Sequence, residues 1–301
     1  MSLRPDVVWV GADGALGKAL ASALGARPVS LRCPDFADDR TVAELAQADV
    51  VIDAAGPRVH PELNWGDYLR EHMGTAGRVA HSMRPGSHLV LISSAAVYGS
   101  ARGHVTAMTP PEPETFPVPA YAWGKLAAEH AARAVCAERN IALTILRPSI
   151  IYGPGAGGVF IKLRDLARRG VRFALKPEST AQHLLHLRLF QRVLEALVSQ
   201  TAPVRTTTLV VADPFVLTTA DVNSALAASA PRAATVPMPL GGLARALRGW
   251  QRRAQSQAPG PVSVAAMLML DNVYDWETCL TQLGVDPAPF GQIVFDNFLT
   301  E

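Results

Sequence analysis

Short hydrophobic runs alternate with helical patterns along the first half of the chain. Val7 to Val10, Val29 to Leu31, Val50 to Ala54, His88 to Ile92 and Ala142 to Leu146 are apolar almost throughout, as strands buried on both faces are. Between them, apolar residues recur every three or four positions over Leu16 to Leu24, Val42 to Ala48, Tyr68 to Met83 and Tyr121 to Arg139, which predicts helices. This alternation predicts an α/β fold, a Rossmann-type doubly wound parallel sheet with helices on both faces. Helical patterns at Phe160 to Arg169 and Phe190 to Leu197 precede a further strand at Thr206 to Val211, so the sheet is expected to gain a strand from beyond residue 200. The expected division is a sheet domain over 1–151 with return segments near 181–216, and a smaller lobe from 152–180 and 217–301.

Two stretches break the pattern. The proline-rich run 110–119 lacks backbone donors and is expected to be a stiff surface loop. Residues 251–263 read as a polar connection after an amphipathic segment at Leu240 to Trp250.

Composition narrows the function without naming it. With 301 residues, 49% of them hydrophobic and 18% charged, the chain can bury a sizeable core. A formal charge of +2, evenly spread, argues against nucleic acid as a partner. The three cysteines, Cys33, Cys136 and Cys279, form no CxxC pair, so neither a disulfide framework nor a zinc site is indicated, and a reducing cytoplasm is the expected compartment. No apolar run is long enough to cross a membrane, and no signal peptide is expected ahead of the first strand. His183 and His186 have a ligand spacing if their segment is helical, but no carboxylate or cysteine cluster joins them, and no metal is expected.

Three motifs carry candidate chemistry. Gly11, Asp13, Gly14, Ala15, Leu16 and Gly17 follow the first strand and open the first helix, where backbone N–H groups can hold a pyrophosphate. The first glycine allows a tight turn, the second a close approach of phosphates, and the third close helix packing, although plain helix–strand packing accounts for such a triplet equally. The spacing is GxxGxxG rather than that of a P-loop, and Ala19 stands where a Mg²⁺-binding hydroxyl belongs, which excludes a phosphotransferase. Tyr121 and Lys125 lie on one helical face, where the ammonium can pull the phenol toward a working pKa, or where both simply meet solvent. Ser93 and Ser94 follow the His88 to Ile92 strand at its carboxyl end, where ligands bind in open α/β sheets and where serines also serve as turn formers.

In this order the motifs resemble the extended short-chain dehydrogenase/reductase family, the nucleotide-sugar epimerase, dehydratase and reductase group. Three stretches add to the likeness: 49–56, Gly74-Thr75, and the run from Leu146 to Gly155. The resemblance is dense as far as Gly155 and thin afterwards. It implies that Ser94 bonds the substrate oxygen, Tyr121 passes it a proton, and Lys125 lowers the Tyr pKa while holding the nicotinamide ribose. It also places Ala54, Ala55, Gly56 and Pro57 under an NAD or NADP cofactor, and Pro148, Ser149 and Ile150 near its nicotinamide. Arg32, Asp35 and Phe36, after the second strand, would face the adenosine. Arg32 favours NADP, unless it only pairs with Asp35 or Asp38, and Asp13 would disfavour an added phosphate.

The chain departs from the family pattern at Glu71, where an Asn is usual, at Asp53, where a His is usual, and at Ala95 and Ala96, where dehydratases carry an Asp-Glu pair. Lacking that acid and base, the chain ranks as a reductase of a carbonyl, with a nucleotide-bound keto-deoxysugar as the leading substrate, ahead of a dehydratase. An epimerase that keeps its cofactor, and a dinucleotide-sensing regulator without catalysis, are the rivals, the second disfavoured by retention of Ser94, Tyr121 and Lys125. Arg164, Arg168, Arg169 and Arg172 can meet a diphosphate or form a solvated face. A homodimer is expected from the long helices that often pair in this family.

Overall fold

A computed structural model describes residues 5–29, 39–60, 63–101, 103–156, 158–200, 206–239, 267–268 and 270–290. Arg32, Asp35, Phe36 and the segment 240–266 lie outside them. The chain runs β1 (Val7–Val10), α1 (Ala15–Leu20), β2 (Arg27–Val29), α2 (Asp39–Gln47), β3 (Val50–Asp53), α3 (Trp65–Ser82), β4 (His88–Ile92), β5 (Gly103–Val105), α4 (Pro119–Arg139) and β6 (Ala142–Pro148). It continues through β7 (Ile150–Tyr152), α5 (Val159–Arg168), β8 (Val171–Lys176), β9 (Ala181–Gln182), β10 (Leu184–His186), α6 (Leu187–Val198), β11 (Thr206–Val211), β12 (Leu217–Thr218), α7 (Thr219–Ser229), β13 (Ala234–Pro239), β14 (Asn272–Tyr274) and α8 (Glu277–Leu283).

Six strands form one parallel sheet in the order β11-β6-β4-β3-β1-β2. The apolar runs are explained by burial on both faces. Val7, Trp9 and Ile52 enter one core layer with α6 and α8, while Val8, Val10 and Val51 enter another with α3 and α4. Successive strand side chains point to opposite faces, so a strand between two helical layers is apolar at most positions, and a polar residue there needs a buried partner. The strand from beyond residue 200 is β11, which pairs with β6 from Thr206↔Leu143 to Val211↔Pro148. The remaining strands form two-stranded ladders: β7 with β10, β9 with β12, β8 with β13, and β5 with β14. Among the described residues, no helix is long and apolar enough to cross a membrane.

Local chemistry moves several boundaries. Helix α3 starts at Trp65 rather than Tyr68, because Asn64 and Asp67 close a reciprocal capping box, each side chain accepting the other's backbone N–H at 3.1 Å. Helix α1 is shorter than the apolar pattern implied, ending at Leu20 before a run of turns. Strand β2 begins at Arg27, whose guanidinium binds Asp6 through two hydrogen bonds of 3.0 and 2.6 Å, and its Pro28 is tolerated because β2 is an edge strand. The proline-rich run holds one 3-10 turn at Pro113–Thr115, and its last member, Pro119, opens α4, where a missing N–H costs nothing.

The reading of His183 and His186 on a helix is corrected. Residue 186 ends β10, residue 183 precedes that strand, and α6 begins only at Leu187. Both histidines serve a stitch around Asp213, just past β11. The Asp213 carboxylate accepts the His186 N–H at 2.8 Å, its carbonyl is 2.7 Å from His183 Nε2, and His183 Nδ1 accepts the Tyr274 N–H at 2.8 Å.

Burial pushes the Asp213 carboxyl up to about 7, while the His186 N–H and the Tyr152 hydroxyl pull it down. Burial pushes His186 down to about 4, helped by Arg188, and lowers His183 as well. The linkages oppose each other. A raised carboxyl makes the folded state hold the extra proton, so Asp213 lowers stability as pH climbs from about 4 to 7. Depressed histidines make it hold fewer, so stability rises with pH over about 4 to 6.5. Asp213→Asn, which keeps an acceptor for the His186 N–H, is therefore expected to steepen the rise of stability with pH and to gain on the parent above pH 7. Urea unfolding across that range checks this, and an unaltered slope would mean that Asp213 does not titrate there.

Candidate active site

The site assembles where β1, β3, β4 and β6 end. At the end of β1, Gly11 takes φ +86°, and a Cβ on it would stand 2.9 Å from the Ala55 N and 3.0 Å from the Ala54 carbonyl. The turn and the loop after β3 thus meet backbone to backbone. A Cβ on Gly17 would lie 2.5 Å from the Ala12 Cα, so the third glycine lets α1 pack against its own turn. Gly14 caps α1 without a side chain. These contacts leave a groove of about 390 Å³ lined by Gly11, Asp13 and Gly14, by Ala54, Ala55, Gly56 and Pro57, and by Leu63, Asp67, Arg70 and Glu71 of the next loop and helix. Arg70 is its cation among those lining residues, 2.6 Å from Asp67 and 3.8 Å from Glu71. Ala15 and Leu16 sit in the first turn of α1 beside this groove and are not part of its lining.

Ser94 follows β4 and caps a short 3-10 turn, Ala95–Tyr98, its hydroxyl accepting the Ala96 N–H at 3.1 Å. Tyr121 and Lys125 lie in the first two turns of α4. The Tyr121 phenol neighbours the Ser94 side chain. Burial pushes the phenol above its ordinary value, while the Ser94 hydroxyl and the charge of Arg58 pull it back. The Lys125 ammonium donates to the Ile92 carbonyl at 3.0 Å, and burial lowers it to about 8 against the attraction of Asp53 and Glu129. Asp53, at the end of β3, is 2% exposed. Burial raises its carboxyl to about 6, opposed by the Ala55 N–H at 2.9 Å and by Lys125. Pro148 and Ser149 follow as β6 ends, and the Ser93 N–H donates to the Leu146 carbonyl at 2.8 Å, which sets the end of β6 beside Ser94. Ile150 opens β7.

Three features were not read from the sequence as site residues. Glu129, 1% exposed, accepts the Ser93 hydroxyl at 2.6 Å and two hydrogen bonds from Arg147 at 2.9 and 2.6 Å, and Arg147 also donates to the Tyr98 hydroxyl at 2.8 Å. Helical spacing puts Glu129 one turn beyond Lys125, and a charge in the otherwise apolar β6 calls for a buried partner, so both signals were present. His72, 2% exposed, stacks on Tyr68 four residues earlier and meets Tyr121 edge-on. Arg58 acts on the phenol from the loop after β3.

The comparisons agree with this architecture. The chain matches the model of a family described as Epimerase, the NAD dependent epimerase/dehydratase family, over residues 7–172. No curated protein matches it. Among solved structures it is similar to MoeE5 in complex with UDP-glucuronic acid and NAD, at 20% identity and a TM-score of 0.71, covering 93% of this chain and 92% of that one. It is also similar to UDP-glucuronic acid 4-epimerase from Bacillus cereus, at 16% identity and a TM-score of 0.72, covering 98% of both chains. A third likeness is to dTDP-4-dehydrorhamnose reductase from Bacillus anthracis in complex with NADP, at 15% identity and a TM-score of 0.69, covering 98% and 99%. At such identities these structures establish the fold.

Because Glu129 balances a guanidinium that is itself buried, Glu129→Gln is expected to lower stability by about 3–5 kcal/mol by leaving Arg147 uncompensated. Chemical denaturation at neutral pH measures it, and a loss below about 1 kcal/mol would mean that the pair is not sealed from water.

Proposed function

Since the chain belongs to the NAD dependent epimerase/dehydratase family, an extended short-chain dehydrogenase/reductase fold, we propose that it is an NAD(P)-dependent reductase of a carbonyl, with a nucleotide-bound keto-deoxysugar as the leading substrate. The observation that carries this reading is Ser94 beside the buried Tyr121 phenol, with Lys125 one turn further along α4 and only Ala95 and Ala96 following the serine. One proton-transfer group is enough to reduce a ketone. Loss of water needs a second, placed to take the α-proton or to protonate the leaving hydroxyl. Of the buried acids and bases described around the pair, Asp53 is bonded to the Ala55 N–H, and His72 is enclosed between α3, α4 and the loop at Gly56.

The groove fits a dinucleotide because glycines stand where a Cβ would block the approach of Gly11 and Gly14 to the loop and turn beneath. Gly11, Gly14 and the loop 54–57 would hold the phosphates, with Asp13, Ala15, Leu16 and Gly17 shaping the turn. Pro148, Ser149 and Ile150 would flank the nicotinamide end. When bound, the cofactor supplies or accepts the hydride. Ser94 would orient the substrate oxygen, and Tyr121 would deliver its proton. Burial holds the phenol high, which suits a donor, and Arg58 draws it back toward the working range, while Lys125, held by the Ile92 carbonyl, would meet the nicotinamide ribose. Segments 152–180 and 217–301 would form the substrate lobe.

Supplied with a dTDP- or UDP-linked keto-sugar and reduced cofactor, the protein is expected to consume cofactor stoichiometrically and to add two hydrogens to the product by mass spectrometry. Tyr121→Phe should bind cofactor normally and turn over roughly 10²-fold more slowly. Loss of water, or isomer formation without cofactor consumption, would overturn the assignment and point to a dehydratase or an epimerase.

Cofactor preference rests on Arg32, which is expected to accept a 2′-phosphate. The protein should bind NADPH more tightly than NADH, and Arg32→Ala should erase most of that difference. Equal affinities in the parent would reject it.

A further inference from the structure

Tyr121 packs into hydrocarbon gathered from distant parts of the chain. Ala96, in the turn after Ser94, and Phe116, in the proline-rich run, belong to one small buried cluster, and Val59, Met267, Leu270 and Tyr121 itself pack against it. The Phe116 ring lies 6.3 Å from that of Tyr121, tilted by 39°. Val59 comes from the loop after β3, and Met267 and Leu270 from the residues before β14. Ala96 and Phe116 are buried, whereas Val59, Tyr121, Met267 and Leu270 are half-buried. The cluster therefore keeps an apolar side open to a ligand beside the phenol.

Polar bonds hold the chain that carries Met267 and Leu270 in this place. The Gln182 side chain donates to the Leu268 carbonyl at 2.8 Å, the Asp271 carboxylate accepts the Ala181 N–H at 2.6 Å, and the Asn272 side chain donates to the Gly99 carbonyl at 3.0 Å. Two of these bonds tie it to β9, and the third ties it to the end of the turn that Ser94 caps. Gln182 and Asn272 are themselves buried, so a slip of this chain would leave polar groups unpaired. Ser94 links the wall to the chemistry. Its hydroxyl accepts the Ala96 N–H at 3.1 Å, so an oxygen held between Ser94 and Tyr121 has the Ala96 methyl and its apolar neighbours close by.

We propose that Val59, Phe116, Met267 and Leu270 are specificity-determining residues, an apolar wall that receives a hydrocarbon arm of the substrate next to the reacting carbonyl. For a nucleotide-bound 4-keto sugar that arm is the C6 methyl of a 6-deoxy sugar, in place of the hydroxymethyl of its parent. The inference rests on the reductase reading, in which the reacting oxygen lies between Ser94 and Tyr121. A methyl group against these side chains leaves water at no loss of hydrogen bonds, whereas a hydroxyl gives up its water and gains no partner from them. Apolar surroundings discriminate against an added hydroxyl by about tenfold to a hundredfold, which sets the size of the effect.

The test compares two ketones that differ by one hydroxyl, UDP-4-keto-6-deoxyglucose and UDP-4-ketoglucose, by kcat/KM with reduced cofactor and the full chain. The parent is expected to favour the deoxy ketone by about tenfold or more. Met267→Gln and Leu270→Asn, at half-buried positions where a polar side chain can reach water, should each shrink that ratio by about threefold or more, by lowering kcat/KM for the deoxy ketone more than for the other. Met267→Leu, which keeps the hydrocarbon, should hold the parent ratio. A merely structural role would lower both ketones together and leave the ratio in place. Equal kcat/KM for the two ketones in the parent, or a ratio that neither polar variant moves, would overturn the wall and leave the reductase reading standing. Reduction of neither ketone would remove that reading instead. Calorimetry of UDP-6-deoxyglucose against UDP-glucose, with the protein and NAD⁺, then decides the wall by the same ratio, and equal affinities reject it.

Discussion

Where helix α4 lies is decided by a carboxylate that water does not reach. Glu129 takes the Ser93 hydroxyl from the end of β4 and both arms of Arg147 from β6, so one side chain ties the helix to two adjacent strands. Such a pair is costly to desolvate and contributes little net stability, but it leaves few geometries available. A rotation of α4 would leave the guanidinium or the carboxylate unpaired. The face of α4 that carries Glu129 also carries Lys125 one turn earlier and Tyr121 one turn before that. Fixing Glu129 therefore fixes which way the phenol and the ammonium point.

The glycines form the complementary constraint. Gly11 and Gly17 bring the first turn, α1 and the loop after β3 into backbone contact, while Gly56 and Gly124 open the space that His72 occupies. The loop that lines the groove and helix α4 are thus joined by a side chain on α3 that touches both. A cradle built from bare backbone can approach a phosphate closely, and a helix packed over a glycine can approach its neighbour closely. Here the same loop, 54–57, lines the cradle on one side and meets the imidazole on the other.

Electrostatics in the site is a balance between burial and pairing. Asp53 and Lys125 are each moved toward neutrality by burial and drawn back by the other. The resemblance led us to expect Lys125 to act on the Tyr121 phenol. In the structure the cation acting on that phenol is Arg58, and Lys125 is directed at Ile92, Asp53 and His72. An ammonium held by a backbone carbonyl is fixed in place.

The sequence alone determined the layered fold, because a strand buried on both faces must be apolar at every position and a helix against a sheet must be apolar every third or fourth. β1, β4 and β11 start and end where the pattern put them. It also determined the candidate chemistry of Gly11, Gly14, Gly17, Ser94, Tyr121 and Lys125, since turns, strand ends and helical spacing are local properties. Boundaries set by side-chain caps, such as the Asn64–Asp67 box, shifted by a turn because a short polar exchange carries no periodicity. The spacing of His183 and His186 would have made them neighbours only on a helix, and a three-residue spacing does not reveal whether the hydrogen bonds go along the chain or, as they do, across to β7. Only the tertiary structure decided what Glu129, Arg147, Asp53 and His72 touch. Their partners lie on other elements, and a buried charge or imidazole takes its meaning from what closes over it.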